Sequence, residues 1–481
     1  MNYNVVILSI IFIPVIGAFI LPLLGIISTK VRNFLAFIFI AASFILSLTL
    51  IPAVISGNII TFKTNLVFSF NFSFTADGLA VFMAAVSSFI SAIIMIYSWD
   101  YISHYDDQNE YYSMVTLFCG SMMGLVFSAN LIFLFIFWEL TAITSWRLIG
   151  YFRDKVHVLK ADKAFLITAF GALLMLLGFI ILYQQTGSFD LAVIKSSLRS
   201  TPVPNIVLAL ILAGILSKSA TLPFHTWLPD AGVAPSPVTA LLHAAVLVKI
   251  GVYVFARLFV ATFPISAIWH TIVPVIAVIS VLVSAGAAYI ETDLKRIIAF
   301  STVNQIGFIF FGFATGNVIG VAGGLIYILM HGLAKAGLFL CAGIIEQNTK
   351  TKDITKLGGL FTTMPVTAVS FLFCSFSVMG IPPFGGFFGK YLVFAGAIQA
   401  KQYWMAVFFL IGAFMTILYL FRAFNMIFFG ESKMPNAKEG SGTMISCVAA
   451  LAILSLIGGL LIMYPVSFAR TAALQMLRSI K

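Results

Sequence analysis

Five ionisable residues stand where the surrounding chain is oily. Lys218, Lys249, Lys335 and Lys390 each lie within an apolar run, and Glu139 closes the stretch Leu131-Ile132-Phe133-Leu134-Phe135-Ile136-Phe137-Trp138. A charge at the centre of a bilayer costs about 2.5–3.5 kcal/mol on insertion scales. Five such positions in one chain point to a retained use. An amine kept from water holds its charge weakly, and a neighbouring carboxylate strengthens that hold. Amines in series, bridged by water and hydroxyls, can therefore pass protons.

The spacing suggests roles. Glu139 and Lys218 are expected to form the input pair, and Lys249 to be the next carrier. His331 and Lys335 are four residues apart, hence on one helical face, and make the link towards the exit site Lys390. His225 and His243 are secondary candidates, better suited to helix-end or packing hydrogen bonds. His243 is six residues before Lys249, which on a regular helix puts it about 120° off that face. Histidine is the side chain whose charge changes near neutral pH.

Two breaks accompany the lysines. Lys218-Ser219-Ala220-Thr221-Leu222-Pro223 interrupts one apolar run, and Gly380-Ile381-Pro382-Pro383 interrupts another just before Lys390. Proline removes a backbone donor and clashes with the preceding turn. Carbonyls freed at membrane depth must face protein or water. Paired interruptions in two halves of a chain mark an ion site built on inverted repeats.

The elements that must position these groups are membrane spans. The chain has 481 residues, 61% hydrophobic and 9% charged, with mean hydropathy +1.09. Soluble domains carry about 25% charged residues. A soluble globule, a disordered chain and a disulfide scaffold are excluded. The expected class is an all-α polytopic membrane protein. Spans of about 20 apolar residues are predicted near 4–27, 34–56, 77–99, 112–128, 130–150, 162–184, 205–222, 236–258, 269–289, 296–315, 318–345, 364–393, 403–428 and 442–465. Counted so, the breaks fall in spans 7 and 12 of fourteen, each the fourth helix of a five-helix unit (4–8 and 9–13). The organisation is then an N-terminal segment over residues 1–111, repeats at 112–258 and 269–428, and a C-terminal segment over residues 429–481. Alternation of Ile60, Phe62, Leu66, Phe68, Phe70 and Phe72 predicts a short extramembrane hairpin within 58–75. The first apolar run has no small-residue cleavage signal and reads as a retained helix.

Loop cations set the orientation. With the N-terminus outside, inner loops carry fourteen Lys and Arg, among them Arg32, Arg147, Lys163, Lys295 and Arg296. Outer loops carry eight, among them Lys63, Arg199, Arg257 and Lys481. Both termini are expected outside, in a prokaryotic inner membrane. Arg147 reads as a solvated anchor, Asp230 as a turn or cap, Asp77 as a helix start, and Asp293 to Arg296 as a loop anchor opening a helix.

The net charge of +11 is spread over short loops without a basic-aromatic patch, so nucleic-acid binding is not expected. Cys119, Cys341, Cys374 and Cys447 fall in apolar segments and lack metal-ligand spacing. No phosphate-cradling loop is present. No metal, cofactor or catalytic centre is expected in this chain, so it must use an existing gradient or a driving partner.

Several stretches resemble one family. They are Phe137-Trp138-Glu139-Leu140-Thr141, Lys218 through Pro223-Phe224-His225-Thr226-Trp227-Leu228-Pro229 to Ala231, Pro235 to Ala245, Asp293 to Val303 with Gln305-Ile306-Gly307, His331 to Leu340, and Pro382 to Lys390. Together, over about residues 75–430, they are similar to the antiporter-like membrane subunits shared by respiratory complex I, Mrp-type cation/proton antiporters and energy-converting membrane-bound hydrogenases. The resemblance implies fourteen helices with two inverted repeats, and places the family's carboxylate and lysines on Glu139, Lys218, Lys249, Lys335 and Lys390. It implies a proton-translocating subunit of a larger complex, complex I-like or hydrogenase-like. H⁺ would be the ion, with Na⁺ the other candidate. The partners would be paralogous membrane subunits, the bilayer and, in a redox complex, a peripheral arm. A Mrp-type Na⁺/H⁺ antiporter subunit without redox chemistry and an inactive membrane scaffold are the alternatives. Departures include Ala172, the Trp146-Arg147 pair, and Gly332 and Gly337 flanking Lys335.

Overall fold

The computed structural model describes residues 2–65, 71–198 and 202–478. The helices run in order α1 (Tyr3–Ile27), α2 (Thr29–Ile55), α3 (Gly78–Tyr101), α4 (Gln108–Phe127), α5 (Leu131–Ile149), α6 (Lys155–Thr186), α7 (Leu191–Ser197), α8 (Asn205–Lys218), α9 (Trp227–Asp230), α10 (Ser236–Ala240) and α11 (Leu247–Phe255). There follow α12 (Trp269–Ile290), α13 (Leu294–Ala314), α14 (Val318–Thr349), α15 (Pro365–Met379), α16 (Gly385–Gln399), α17 (Tyr403–Phe428), α18 (Gly442–Leu460) and α19 (Met463–Arg478). Between α2 and α3 lie strands β1 (Ile60–Asn65) and β2 (Asn71–Ala76). The protein is a helical integral membrane protein. Among the described residues, eleven helical stretches are long and apolar enough to cross a membrane. The other expected spans are α4, which is less apolar, and the two interrupted segments α8–α9 and α15–α16.

The buried interior is built from α3, α13, α14 and the stretch Ser236–Val260, whereas α1, α2, α6 and α17 turn much of their surface outward. Outward side chains such as Phe19, Leu166, Phe170, Leu410 and Phe414 are apolar, as lipid contact requires. The four cysteines are buried free thiols.

The predicted hairpin forms, with Ile60 opposite Ala76 and Phe62 opposite Phe74. It packs through Phe72 and Phe74 against Phe12 of α1 and Phe133 of α5. Leu66, Phe68 and Phe70 lie outside the described residues, as do Arg199 and Lys481 among the loop cations.

The internal repeat is visible in hydrogen bonds. The loop before α5 meets the loop after α6: the Leu131 N–H donates to the Phe189 carbonyl at 2.9 Å, and the Leu191 N–H to Ala129 at 2.9 Å. The loop before α13 meets the loop after α14 in the same way, Leu294 donating to Lys352 and Ile354 to Thr292, both at 2.9 Å. The bridges Asn130–Asp190 and Asp293–Asp353 are thus equivalents. The two breaks match as well. Ala220 (φ 51°) and Gly380 (φ 85°) are left-handed. The next N–H reaches back in each, Thr221 to Leu216 at 2.9 Å and Ile381 to Phe376 at 3.0 Å. The peptides before Pro223 and Pro383 are both cis. An odd number of spans separates equivalent points, so the two copies are inverted.

Several loop residues are held more firmly than their sequence context suggests. Arg257 is buried and binds Asp77 through two nitrogens, at 2.5 and 2.8 Å, while Asp77 also caps α3 through the Ala80 N–H. Arg32 is buried among Asn33, Gln108 and Asn109. Lys295 is buried against Glu346 at 2.5 Å and donates to the Ala234 carbonyl. Arg147 is not a free solvated anchor but pairs with Glu110. Asp230 does more than cap a turn, receiving Lys163 at 2.7 Å and Arg296 at 2.6 Å. Asp293 caps α13, as expected of a helix start. Outside the spans, the carboxylate of Asp154, the cap of α6, is held below its usual range, first by the His157 backbone N–H.

Candidate functional site

Burial of the four lysines is complete or nearly so: Lys218 and Lys335 are 0% exposed, Lys249 1% and Lys390 4%. Each amine finds a partner, as a buried charge must.

Lys218 ends α8. Its Nζ donates to the Trp138 carbonyl of α5 at 3.1 Å and lies over the Trp138 ring, 5.3 Å from the centroid. The adjacent Glu139 is its electrostatic neighbour, yet no direct ion pair joins them. Glu139 Oε1 is buried without a hydrogen bond among the described residues. The expected pair is therefore adjacent rather than bonded, and the backbone of α5 carries the contact. Trp227, beyond the break, donates its indole N–H to the Ser217 carbonyl at 2.9 Å, satisfying one acceptor freed by the interruption.

Lys249 meets His331 directly, Nζ to Nδ1 at 2.7 Å, across α11 and α14. His331 Nε2 has no hydrogen-bond partner among the described residues. One turn along α14, Lys335 Nζ donates to the Ile298 carbonyl of α13 at 3.1 Å. His331 feels Lys249, Lys335, His243 and Lys390, so these groups form one electrostatic cluster.

His243 departs from the regular-helix expectation. Residues Leu241–Ala245 form a π-helical turn, and Val246 leaves helical geometry (φ −124°, ψ −74°). The angle between His243 and Lys249 is thus not that of an α-helix. His243 packs at a tilt of 37° against Phe339, ring centroids 4.4 Å apart, beside Lys335, and neither of its ring nitrogens is hydrogen-bonded among the described residues.

His225 stands outside this cluster. It is half-buried at the first break, next to Lys163, whose amine binds Asp230. Pro223 is exposed there. The structure does not bring Lys218 and Lys249 into contact, although α8 packs on α11.

Lys390 lies on α16 and reaches back across the second break, donating to the carbonyls of Val378 (2.8 Å) and Met379 (3.3 Å) at the end of α15. Its amine also lies 4.7 Å from the Phe308 ring centroid and 5.7 Å from that of Tyr327. Pro382 and Pro383 stand in this turn, where Gly386 packs so closely on the Ser377 carbonyl that a β-carbon could not fit. A cavity of about 630 Å³ between α16 and α17 is lined by apolar side chains and Lys390.

A buried polar network beside Lys390 escaped sequence reasoning. Tyr327 donates to Gln305 Oε1, and Gln305 Nε2 donates to Asn304 Oδ1, to Thr416 Oγ1 at 3.1 Å and to Tyr419 at 3.3 Å. Tyr419 meets the Ser301 hydroxyl at 2.7 Å. The signal available was Asn304-Gln305 inside an apolar helix; its partners on α14 and α17 are distant in sequence.

Residues 128–416 match the family described as "NADH:quinone oxidoreductase/Mrp antiporter, TM", and residues 63–112 match "NADH-Ubiquinone oxidoreductase (complex I), chain 5 N-terminus". The chain is 34% identical over 450 residues to the A1 subunit of the Na(+)/H(+) antiporter of Staphylococcus saprophyticus, covering 87% of this chain and 56% of that protein. It is 37% identical over 362 residues to the A/B subunit of a probable K(+)/H(+) antiporter of Rhizobium meliloti, covering 74% and 36%. It thus spans about half the length, or less, of these curated relatives. Its fold matches a chain of the Mrp complex from Dietzia sp. DQ12-45-1b (TM-score 0.90, 21% identity, all of both chains). It also matches a chain of the membrane-bound sulfane sulfur reductase, an archaeal respiratory membrane complex (TM-score 0.89, 22% identity, 99% of both chains).

Proposed function

The chain belongs to the NADH:quinone oxidoreductase/Mrp antiporter family, and from that premise we propose that it is a proton-conducting, antiporter-like subunit of a multisubunit ion-pumping membrane complex. The supporting observation is the buried contact of Lys249 with His331 inside a cluster that extends to Lys335 and Lys390. A lysine facing a histidine shares a proton between two bases, and moving that proton shifts the field on the next amine.

In this reading Glu139 and Lys218 sit at one broken helix and Lys390 at the other, with Lys249, His331 and Lys335 between them. Pro223, Pro382 and Pro383 interrupt the helices, and carbonyls released there are taken up by side chains, Ser217 by Trp227 and Val378 and Met379 by Lys390. His243 adds a titratable ring beside Lys335, and His225 serves the surface side of the first break. The inverted units correspond to 112–258 and 269–428. H⁺ is the conducted ion. The loop cations favour both termini outside, in a prokaryotic cell membrane.

The named relatives favour a Mrp-type cation/proton antiporter as the host complex over a redox-driven one, because they are Na(+)/H(+) and K(+)/H(+) antiporter subunits. The partners are then other membrane subunits, and no peripheral redox arm is required. The test is proton flux in liposomes holding the assembled complex, with a pH-sensitive dye inside. A Lys249→Ala complex that assembles but carries no coupled flux supports the proposal; unaltered flux defeats it and leaves the scaffold reading.

A further inference from the structure

A second cavity, of about 1060 Å³, is lined by none of the four buried amines and lies between α19 and the ends of α11, α12, α13, α14 and α16. Its floor is buried and aromatic, with Phe255, Phe259, Phe263 and Phe313. Its wall on α19 carries Arg470 and Arg478, both exposed. Neither arginine has a hydrogen bond or ion pair among the described residues, and no Asp or Glu lines the cavity. Their α19 neighbours in the lining, Val466, Leu474 and Leu477, are apolar and share that side of the helix. Another side of α19, carrying Ala469, Ala472 and Ala473, is buried and packs against α3 and α14.

We infer that this cavity holds an anionic phospholipid. The phosphate sits on Arg470 and Arg478, and an acyl chain lies along the half-buried apolar wall of Val318, Leu392, Val466, Leu474 and Leu477. Charge complementarity fixes the headgroup: two guanidiniums without a partner among the described residues line a space without Asp or Glu, and guanidinium binds phosphate through paired N–H donors. The open apolar lining fixes the rest, since a small soluble anion would leave Ile319, Tyr391, Leu474 and Leu477 uncovered.

Trp269 lines the same cavity and reports on it. The full chain, purified in detergent with its complex and stripped of lipid, is titrated with dibrominated phosphatidylglycerol or dibrominated phosphatidylcholine. The quenching lost in Trp269→Phe is the local signal. The anionic lipid is expected to half-saturate it at about tenfold lower mole fraction than the zwitterionic lipid. The double change Arg470→Gln with Arg478→Gln removes that preference, and Arg470→Lys with Arg478→Lys keeps most of it. Equal quenching by both lipids overturns the inference. So does displacement by inorganic phosphate, which marks a small-anion site. So does the absence of Trp269 quenching by any lipid, which means that a neighbouring protein chain fills the space.

Discussion

The Nζ of Lys249 lies 2.7 Å from Nδ1 of His331, with both side chains about 1% exposed. A lysine and a histidine so placed cannot both hold a full charge comfortably, because like charges in a dry interior repel strongly. Sharing one proton between the two nitrogens relieves that repulsion.

Removing either partner should therefore do nearly the same harm. Lys249→Ala and His331→Ala are each expected to lower coupled proton flux by about tenfold or more, and the double variant to be little worse than either. Flux assays on the four complexes read this directly. Additive losses would show that the two residues act separately.

Glu139 is adjacent to Lys218 but does not bond it. Glu139→Gln should keep the Lys218 contact to the Trp138 carbonyl, so the complex should assemble with normal thermal stability and reduced flux. Trp138→Phe retains that carbonyl and should be milder. If Glu139→Gln melts the protein and spares transport, the carboxylate is structural.

Arg257 and Asp77 are a buried bidentate pair at the start of α3. Asp77→Asn leaves the guanidinium unpaired and should destabilise the protein by about 3 kcal/mol. The melting temperature in detergent checks this. No transport role is assigned to the pair, so flux per folded complex should be unchanged.

Ala220 and Gly380 occupy the same left-handed corner of the two breaks. A side chain there costs about 1–2 kcal/mol. Ala220→Gly should stabilise the protein by about 1 kcal/mol, and Gly380→Ala should destabilise it by a similar amount. A pair of denaturation curves shifting in the same direction would contradict the assignment.

Much of this was legible in the sequence, for a definite physical reason. A lysine in an apolar run is expensive wherever it points, so Lys218, Lys249, Lys335 and Lys390 declare themselves without coordinates. Prolines 223, 382 and 383 likewise mark breaks by local chemistry. What sequence reasoning missed depends on distant chain segments meeting. Arg257 reads as a loop cation until Asp77 is seen beside it, and Lys295 until Glu346 is. The hydroxyl and amide cluster of Ser301, Asn304, Gln305, Tyr327, Thr416 and Tyr419 draws on three helices. The position of His243 eludes a helical-wheel argument because the 3.6-residue period fails across a π-helical turn. The helices α7 and α19 leave no long apolar run to announce them.

The matched corners at Ala220 and Gly380 carry one asymmetry. Lys218 precedes its corner, whereas Lys390 follows the other. Halves that were perfect antiparallel copies would present the same arrangement of amine and corner to either side. Seating the amine on opposite arms of the same elbow spoils that equivalence, so the two halves differ in where a buried amine stands relative to its corner.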